Sequence, residues 1–228
     1  MFSRSENALI RFRQNRNTTT PLFTLPLKRG FMVSVPKDEL KRKGFHLLSL
    51  IYAFGYWHLA KSTVIWGLAI AVTAVALLEI LRFNVSACNE FFCKNFKGFY
   101  REEEAKKISG LIGTLSGALI TILIFPNKYM VMGSFLYLAF GDSAAALIGR
   151  TFGRHKIFSG KSLEGSIACF AACLAAGLFL FNWKFALAGA AIATVVEAVP
   201  WPINDNFWMQ ILNAGLLTLL GTVIIWAI

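Results

Sequence analysis

The chain has 228 residues, 56% of them hydrophobic, and a formal net charge of +11. A soluble domain of this size is about 45–50% apolar, so the composition excludes an ordinary water-soluble domain and points to membrane helices. The positive balance fits nucleic acid or anionic lipid; no nucleic-acid motif accompanies it, which leaves an anionic membrane surface as the partner.

Residues 1–36 are basic, carry Glu6 as their one acidic residue, and are broken by Thr18-Thr19-Thr20-Pro21 and Pro26. The segment reads as disordered or as lying on the membrane surface. Its arginine-rich, acid-poor composition also fits an organellar targeting peptide, and Met32 is an alternative start. Residues 37–228 read as one transmembrane domain.

Seven apolar runs follow, at 45–60, 63–81, 108–125, 129–148, 165–181, 185–200 and 207–228. A membrane-crossing helix takes about 20 apolar residues, with ~17 as a lower bound; the first and sixth runs reach that only with their flanks. In lipid the backbone must satisfy its own hydrogen bonds, so the runs are read as helices. The expected fold is all-α: a polytopic integral membrane protein with about seven transmembrane helices.

Lys and Arg positions set the orientation. Ten precede residue 45, six lie in 82–107 and four in 150–161, against one each in the alternate loops, at Lys61, Lys128 and Lys184. The N-terminus is therefore expected in the cytoplasm, with any chemistry on the cytoplasmic face. That membrane is the inner membrane of a bacterial cell, or an organellar membrane if residues 1–31 are a targeting peptide.

In chain order, Glu39, Arg42, Lys43 and His46 fall on one helical face at the start of the first run. A positive-inside anchor explains the cations; a functional face explains His46 better. Glu79 and Arg82, three apart at the end of the second run, read as a structural ion pair. Residues 84–107 read as an amphipathic interfacial helix and a solvated turn.

Gly113 and Gly117 permit close packing of the third run. The fourth holds Asp142 within a stripe of small residues, Gly141, Ala145, Gly149 and Gly153, with Arg150 two turns beyond the aspartate. A basic, glycine-rich loop ends at Ser159-Gly160-Lys161-Ser162. It is no P-loop, because the position that needs a glycine is His155. Ser162 can still cap the next helix, Gly160 and Lys161 can meet an anion there, and Glu164 complements the helix dipole. Glu197 ends the sixth run, and a polar turn carries Asn204, Asp205 and Asn206. Cys88, Cys93, Cys169 and Cys173 have no histidine near them in sequence and read as incidental thiols rather than a zinc site.

Ionisable groups at membrane depth are costly and mark functional sites. Carboxylates with Asn suit Mg2+; Lys, Arg and glycine-rich backbone suit a polyphosphate. Together these are the parts of nucleotide-dependent phosphoryl or nucleotidyl transfer.

At these residues the chain resembles the CTP-dependent lipid kinases, the family of dolichol kinase, phytol kinase and CTP-dependent diacylglycerol kinase. The segments are ELKRKGFH from Glu39, GDSAAALIGRTFG from Gly141, GKSLEGS from Gly160, and Glu197 followed by Asn204-Asp205-Asn206. The resemblance runs in order from about Glu39 to the C-terminus. It implies transfer of the γ-phosphate of CTP to the hydroxyl of a membrane lipid alcohol (diacylglycerol, dolichol, polyprenol or phytol), with Mg2+ or another divalent cation. On that reading Asp142 holds the metal, with Asp205 and Asn206 as second candidates. Arg42, Lys43, Gly149, Arg150, Gly153, Gly160, Lys161, Glu164 and Asn206 hold CTP. The catalytic set is Asp142, Lys161, Glu197 and His46, with Asp142, Glu197 or His46 taking the alcohol proton. One rival is a phosphatidate cytidylyltransferase, whose His-Gly-Gly segment has no counterpart here. The other is a small ion-coupled transporter, which the nearly featureless far side disfavours.

Overall fold

The computed structural model describes residues 23–27, 31–35, 43–44, 47, 49–95, 108–157, 160–202 and 204–226. Every apolar run contains helix: α1 (Ser49–His58), α2 (Lys61–Asn84), α4 (Gly110–Ile124), α5 (Lys128–Leu136), α6 (Ser143–Phe152), α7 (Leu163–Leu178), α8 (Trp183–Ala198) and α9 (Asp205–Trp226). The short α3 (Ser86–Asn95) follows α2 within the segment where a helix was expected. Side chains start several of these helices. Asn127 accepts from Tyr129 and Met130 N–H, Asn182 accepts from Phe185 N–H, and Ser162 accepts from Gly165 N–H, each pairing a donor that a helix start leaves open.

The fourth run is one unbroken helix from Lys128 to Phe152, and it changes pitch in the middle. Tyr137–Asp142 form a π-helical turn between α5 and α6. Such a turn fits an extra residue into the helix and re-aims the side chains around it. Asp142 is its last residue.

The core forms around this turn. Phe135, Tyr137, Leu138, Ile122, Met209 and Leu217 are fully buried, and α7 and α8 contribute Cys169, Cys173, Ala186, Ala190 and Ala193. The small-residue stripe on the fourth run is the seam against α7. A Cβ at Gly141 would sit 2.5 Å from Cys173 Sγ, and one at Gly165 would sit 2.8 Å from Ala145 O. Close backbone approach replaces large side chains along this seam. The second seam joins α4 to the start of α9: a Cβ at Gly113 would meet Asn204 Cγ at 2.7 Å, and one at Gly117 would meet Phe207 Cα at 3.0 Å.

Among the described residues, two helices are long and apolar enough to cross a membrane: Lys61–Asn84 and Lys128–Phe152. Their surroundings differ. In the second, 61% of the apolar window is buried inside the bundle; in the first, only 17%. Trp66, Ile70, Leu77 and Leu78 on α2 stand 61–70% exposed. A row of large apolar side chains with no protein cover suits lipid and not water. All seven apolar runs contain helix, and among the described residues two helices meet the length and hydropathy of a membrane span together.

One element departs from the all-α expectation and from the unstructured reading of residues 1–36. β1 (Phe23–Leu27) and β2 (Phe31–Val35) pair antiparallel, with Phe23 opposite Val35, Leu25 opposite Val33 and Leu27 opposite Phe31. Thr24 lies opposite Ser34 and Pro26 opposite Met32 in the same register. Composition emphasised the basic residues, whereas the two-residue alternation decides the local structure. Pro26 is tolerated because a two-stranded sheet has only edge strands. β2 runs beside α6.

Candidate active site

The described site residues come from five places in the chain: the segment before α1, the π turn, the loop before α7, the end of α8, and the start of α9. Lys43, 4% exposed, pairs its Nζ with Asp142 Oδ2. These residues are 99 positions apart. Lys161 Nζ lies 2.7 Å from Glu197 Oε1 and also donates to the Glu197 main-chain carbonyl. The same ammonium lies 3.7 Å from Asp205 Oδ2.

Each position has a local cause. The loop before α7 doubles back at Gly160, whose φ of +81° is a left-handed conformation that glycine adopts without strain. Ile157 N–H donates to Lys161 O at 2.9 Å, and Leu163 N–H donates to His155 O at 2.9 Å. Glu164 closes the loop from the other side: it accepts from His155 N–H at 3.3 Å, and the His155 ring Nδ1 lies 2.8 Å from its Oε1. Its own backbone N–H, then the His155 ring, holds the Glu164 carboxyl down at about 2. At the start of α9, Trp201 N–H donates to Asp205 Oδ1 at 3.3 Å and Trp208 Nε1 donates to Pro202 O at 2.9 Å, which fixes the polar turn.

The lysines and carboxylates act on one another as a group. Lys161 interacts with Glu197, Asp205 and Asp142, and Glu197 interacts with Lys161, Asp142 and Lys43. Burial alone pulls Lys161 down; the Glu197 carboxylate, then Asp205 and Asp142, outweigh it and leave its pKa above the ordinary lysine value. Lys161 is therefore cationic throughout the physiological range. Buried charges are held in place when each has an opposite partner, and here two lysines face three carboxylates. That set can take up a polyphosphate on the ammonium groups and a cation on the oxygens.

The expected residues Lys43, Asp142, Lys161, Glu197 and Asp205 are thus brought together. Arg150 is exposed at the end of α6. Arg42 and His46 lie outside the described residues, as does Glu39. Gly149 and Gly153 were expected to let backbone approach CTP, and the structure gives them a nearer cause. A Cβ at Gly153 would lie 2.5 Å from Ser162 Oγ and one at Gly149 3.0 Å from it, so their smallness lets the capping serine dock on α6. Gly160 has open space where a Cβ would go. Glu164, expected at the nucleotide, is engaged by His155. The Glu79–Arg82 pair forms at 2.6 Å, with Ser109 N–H 3.4 Å from the same carboxylate oxygen.

Among the described residues, no group of three His, Cys, Asp or Glu side chains is arranged to hold a metal ion. Asp142 and Asp205 remain hard oxygen donors in one neighbourhood. That fits a cation such as Mg2+, which takes one or two carboxylates and completes its shell with phosphate and water.

The structure also recruits polar residues that the sequence reading passed over. Gln210, fully buried, donates its Nε2 to Thr114 O at 2.9 Å and Asn206 O at 3.0 Å. Its Oε1 accepts from Tyr52 OH at 3.0 Å. Asn206 Nδ2 donates to Thr114 Oγ1 at 3.2 Å. The available signal was a Thr and a Gln inside otherwise apolar runs, the Thr next to Gly113.

Fold and site together define a helical membrane protein with a charge-compensated polar site where α8 ends and α7 and α9 begin. No family model matches the chain, and no solved structure matches it. Curated proteins do. The chain is 30% identical over 140 residues to CTP-dependent diacylglycerol kinase 1 of Saccharomyces cerevisiae, covering 60% of this chain and 48% of that protein. It is 28% identical over 210 residues to CTP-dependent diacylglycerol kinase 1 of Schizosaccharomyces pombe, covering 81% of this chain and 94% of that protein. An uncharacterized protein of Rickettsia prowazekii is 28% identical over 146 residues, 63% of this chain and 71% of that one. The chain thus spans about half the length of the S. cerevisiae relative and nearly all of the S. pombe one. The similarity to the CTP-dependent lipid kinases, read first from short segments, covers 60% and 81% of this chain in the two fungal relatives.

Proposed function

We propose that this chain is a CTP-dependent kinase of a membrane lipid alcohol, with diacylglycerol as the acceptor. The observation that carries the reading is the joining of Lys43–Asp142 to Lys161–Glu197–Asp205 at one site. The names of the fungal relatives supply the donor and the acceptor. The protein would sit in the membrane through seven helical segments, N-terminus and site on the cytoplasmic face, as the Lys and Arg distribution favours.

Lys161 and Lys43 bind the phosphates of CTP, with Arg42 and Arg150 as further cations, and the open backbone at Gly160 lies at the start of α7. Asp142 and Asp205 would hold Mg2+, which neutralises the phosphate charge when bound. The lipid hydroxyl oxygen attacks the γ-phosphorus and forms the new O–P bond. The bond from that phosphorus to the β–γ bridging oxygen breaks, and CDP leaves. The hydroxyl proton passes to a carboxylate, Asp142 or Glu197.

The test uses the full chain in lipid nanodiscs with CTP labelled on the γ-phosphate, Mg2+, and separately diacylglycerol, dolichol and phytol. Labelled phosphatidate and released CDP are the expected products. A parallel sample is given phosphatidate in place of an alcohol, and release of labelled pyrophosphate there identifies a cytidylyltransferase. No transfer to any alcohol overturns the kinase reading.

A further inference from the structure

Asn206 is held by one amide group and leaves the other open, and the chemistry of its neighbours fixes which is which. Thr114 Oγ1 donates its hydroxyl proton to Gly110 O at 3.0 Å. With that proton used, the Thr114 oxygen can only accept, so the Asn206 amide must turn its Nδ2 toward it. The Asn206 main chain is held too: its carbonyl accepts from Gln210 Nε2 and its N–H donates to Asn204 Oδ1 at 2.9 Å.

Gln210 is fixed by the same logic. Its Nε2 faces two carbonyls and its Oε1 faces the Tyr52 hydroxyl, so the amide has one orientation. This network ties α1, α4 and α9 together, and the absence of side chains at Gly113 and Gly117 lets α9 approach closely enough for it. A Cβ at Gly117 would lie 2.8 Å from Gln210 Nε2. Among the described residues, no hydrogen bond takes up Asn206 Oδ1. Asn206 follows Asp205, whose carboxylate already faces Lys161.

We propose that Thr114 and Gln210 are positioning residues that present Asn206 Oδ1 as an oxygen ligand to a divalent cation bound with the nucleotide phosphates. The inference rests on the kinase reading for the nucleotide and on the observed network for the orientation. Asn206 binds the cation; Thr114 and Gln210 act through it.

Mn2+ is the probe, its binding followed by paramagnetic resonance on the full chain in nanodiscs with a non-hydrolysable CTP analogue. Thr114→Val removes the acceptor for Asn206 Nδ2 and should weaken Mn2+ by about tenfold, the usual size of the effect when the support of a metal ligand is lost. Thr114→Ser keeps the acceptor and should restore binding. Asn206→Leu removes the oxygen itself and should lose binding by tenfold or more. Thermal unfolding of each variant separates loss of the ligand from loss of the fold. Wild-type affinity in Asn206→Leu overturns the proposal, as does absence of Mn2+ binding in the unaltered chain. Transfer from CTP is measured on the same samples. Intact transfer with unchanged Mn2+ affinity in Asn206→Leu sinks this inference and leaves the kinase standing; the expected Mn2+ series without transfer to any alcohol does the reverse.

Discussion

The Lys161 ammonium lies 2.7 Å from the Glu197 carboxylate and joins the loop before α7 to the last turn of α8, 36 residues further on. Glu197 is 4% exposed, so the pair stands where water can replace little of what either partner loses. Removing one member of a buried pair costs about 3–5 kcal/mol because the other is left uncompensated. Lys161→Met and Glu197→Leu should each destabilise the protein strongly. The double variant should be less destabilised than the sum of the two. Thermal unfolding in detergent, arranged as a double-mutant cycle, measures the coupling; additive losses would show that the pair is not a unit.

Asp142 makes a different prediction. It ends the π turn and pairs with Lys43, so Asp142→Asn keeps its shape and removes its charge. In the proposed reading Asp142 helps hold the cation that neutralises the phosphoryl charge, and loss of such electrostatic stabilisation lowers turnover by about 10²–10³. Radiolabel transfer from CTP to diacylglycerol should fall by that factor, and raised Mg2+ should restore only part of it. Full activity in Asp142→Asn would remove this residue from the chemistry.

Glycines on the two kinds of helix surface should respond in opposite directions. At Gly165 a methyl would press on Ala145 O at 2.8 Å and on Gly149 Cα at 3.2 Å. Both contacts are backbone and cannot swing aside, so Gly165→Ala should cost about 1–3 kcal/mol. Gly67, within α2, has nothing within 4 Å of a built Cβ. Gly67→Ala should be neutral or stabilising by up to about 1 kcal/mol from helix propensity alone. Unfolding temperatures of the two variants give the comparison directly.

The loop clasp between His155 and Glu164 sets a pH window. Glu164 is held at about 2, below its ordinary value of 4.5, so its contribution is fully present above 4.5 and is lost as pH falls toward 2. Hydrogen exchange at the His155 amide, corrected for intrinsic rates, should show steady protection from neutral pH to about 5 and declining protection below. In Glu164→Gln that acid-dependent step should vanish.

Much of the architecture was legible along the chain. Hydropathy is a property of consecutive residues, and in an apolar setting the helix is the way a single segment pairs its own backbone groups. The apolar runs therefore appear as helices close to their expected places, Ser162 caps α7, and Glu79 finds Arg82 one turn away. The hairpin at Phe23–Val35 was legible in its alternating apolar residues and was missed because basic composition was weighed above period. The segments around Asp142, Lys161, Glu197 and Asp205 marked the site, since ionisable groups inside or beside apolar runs are already visible as exceptions.

Which of those exceptions meet is another matter. Lys43 reaches Asp142 across 99 positions; no local rule selects that partner over Arg150, two turns from the aspartate on its own helix. The π turn re-aims Asp142, and the pitch change has no sequence signal as clear as a proline or a cap. Gly149 and Gly153 read as backbone for a nucleotide until the docking of Ser162 showed what their missing side chains admit. Thr114, Gln210 and Tyr52 stand in three separate apolar runs, and nothing along the chain joins them. Helix formation depends on the segment alone, so the sequence determined the helices and their polar exceptions. Charge pairing, glycine seams and the orientation of Asn206 depend on distances between segments, which only the packed bundle fixes.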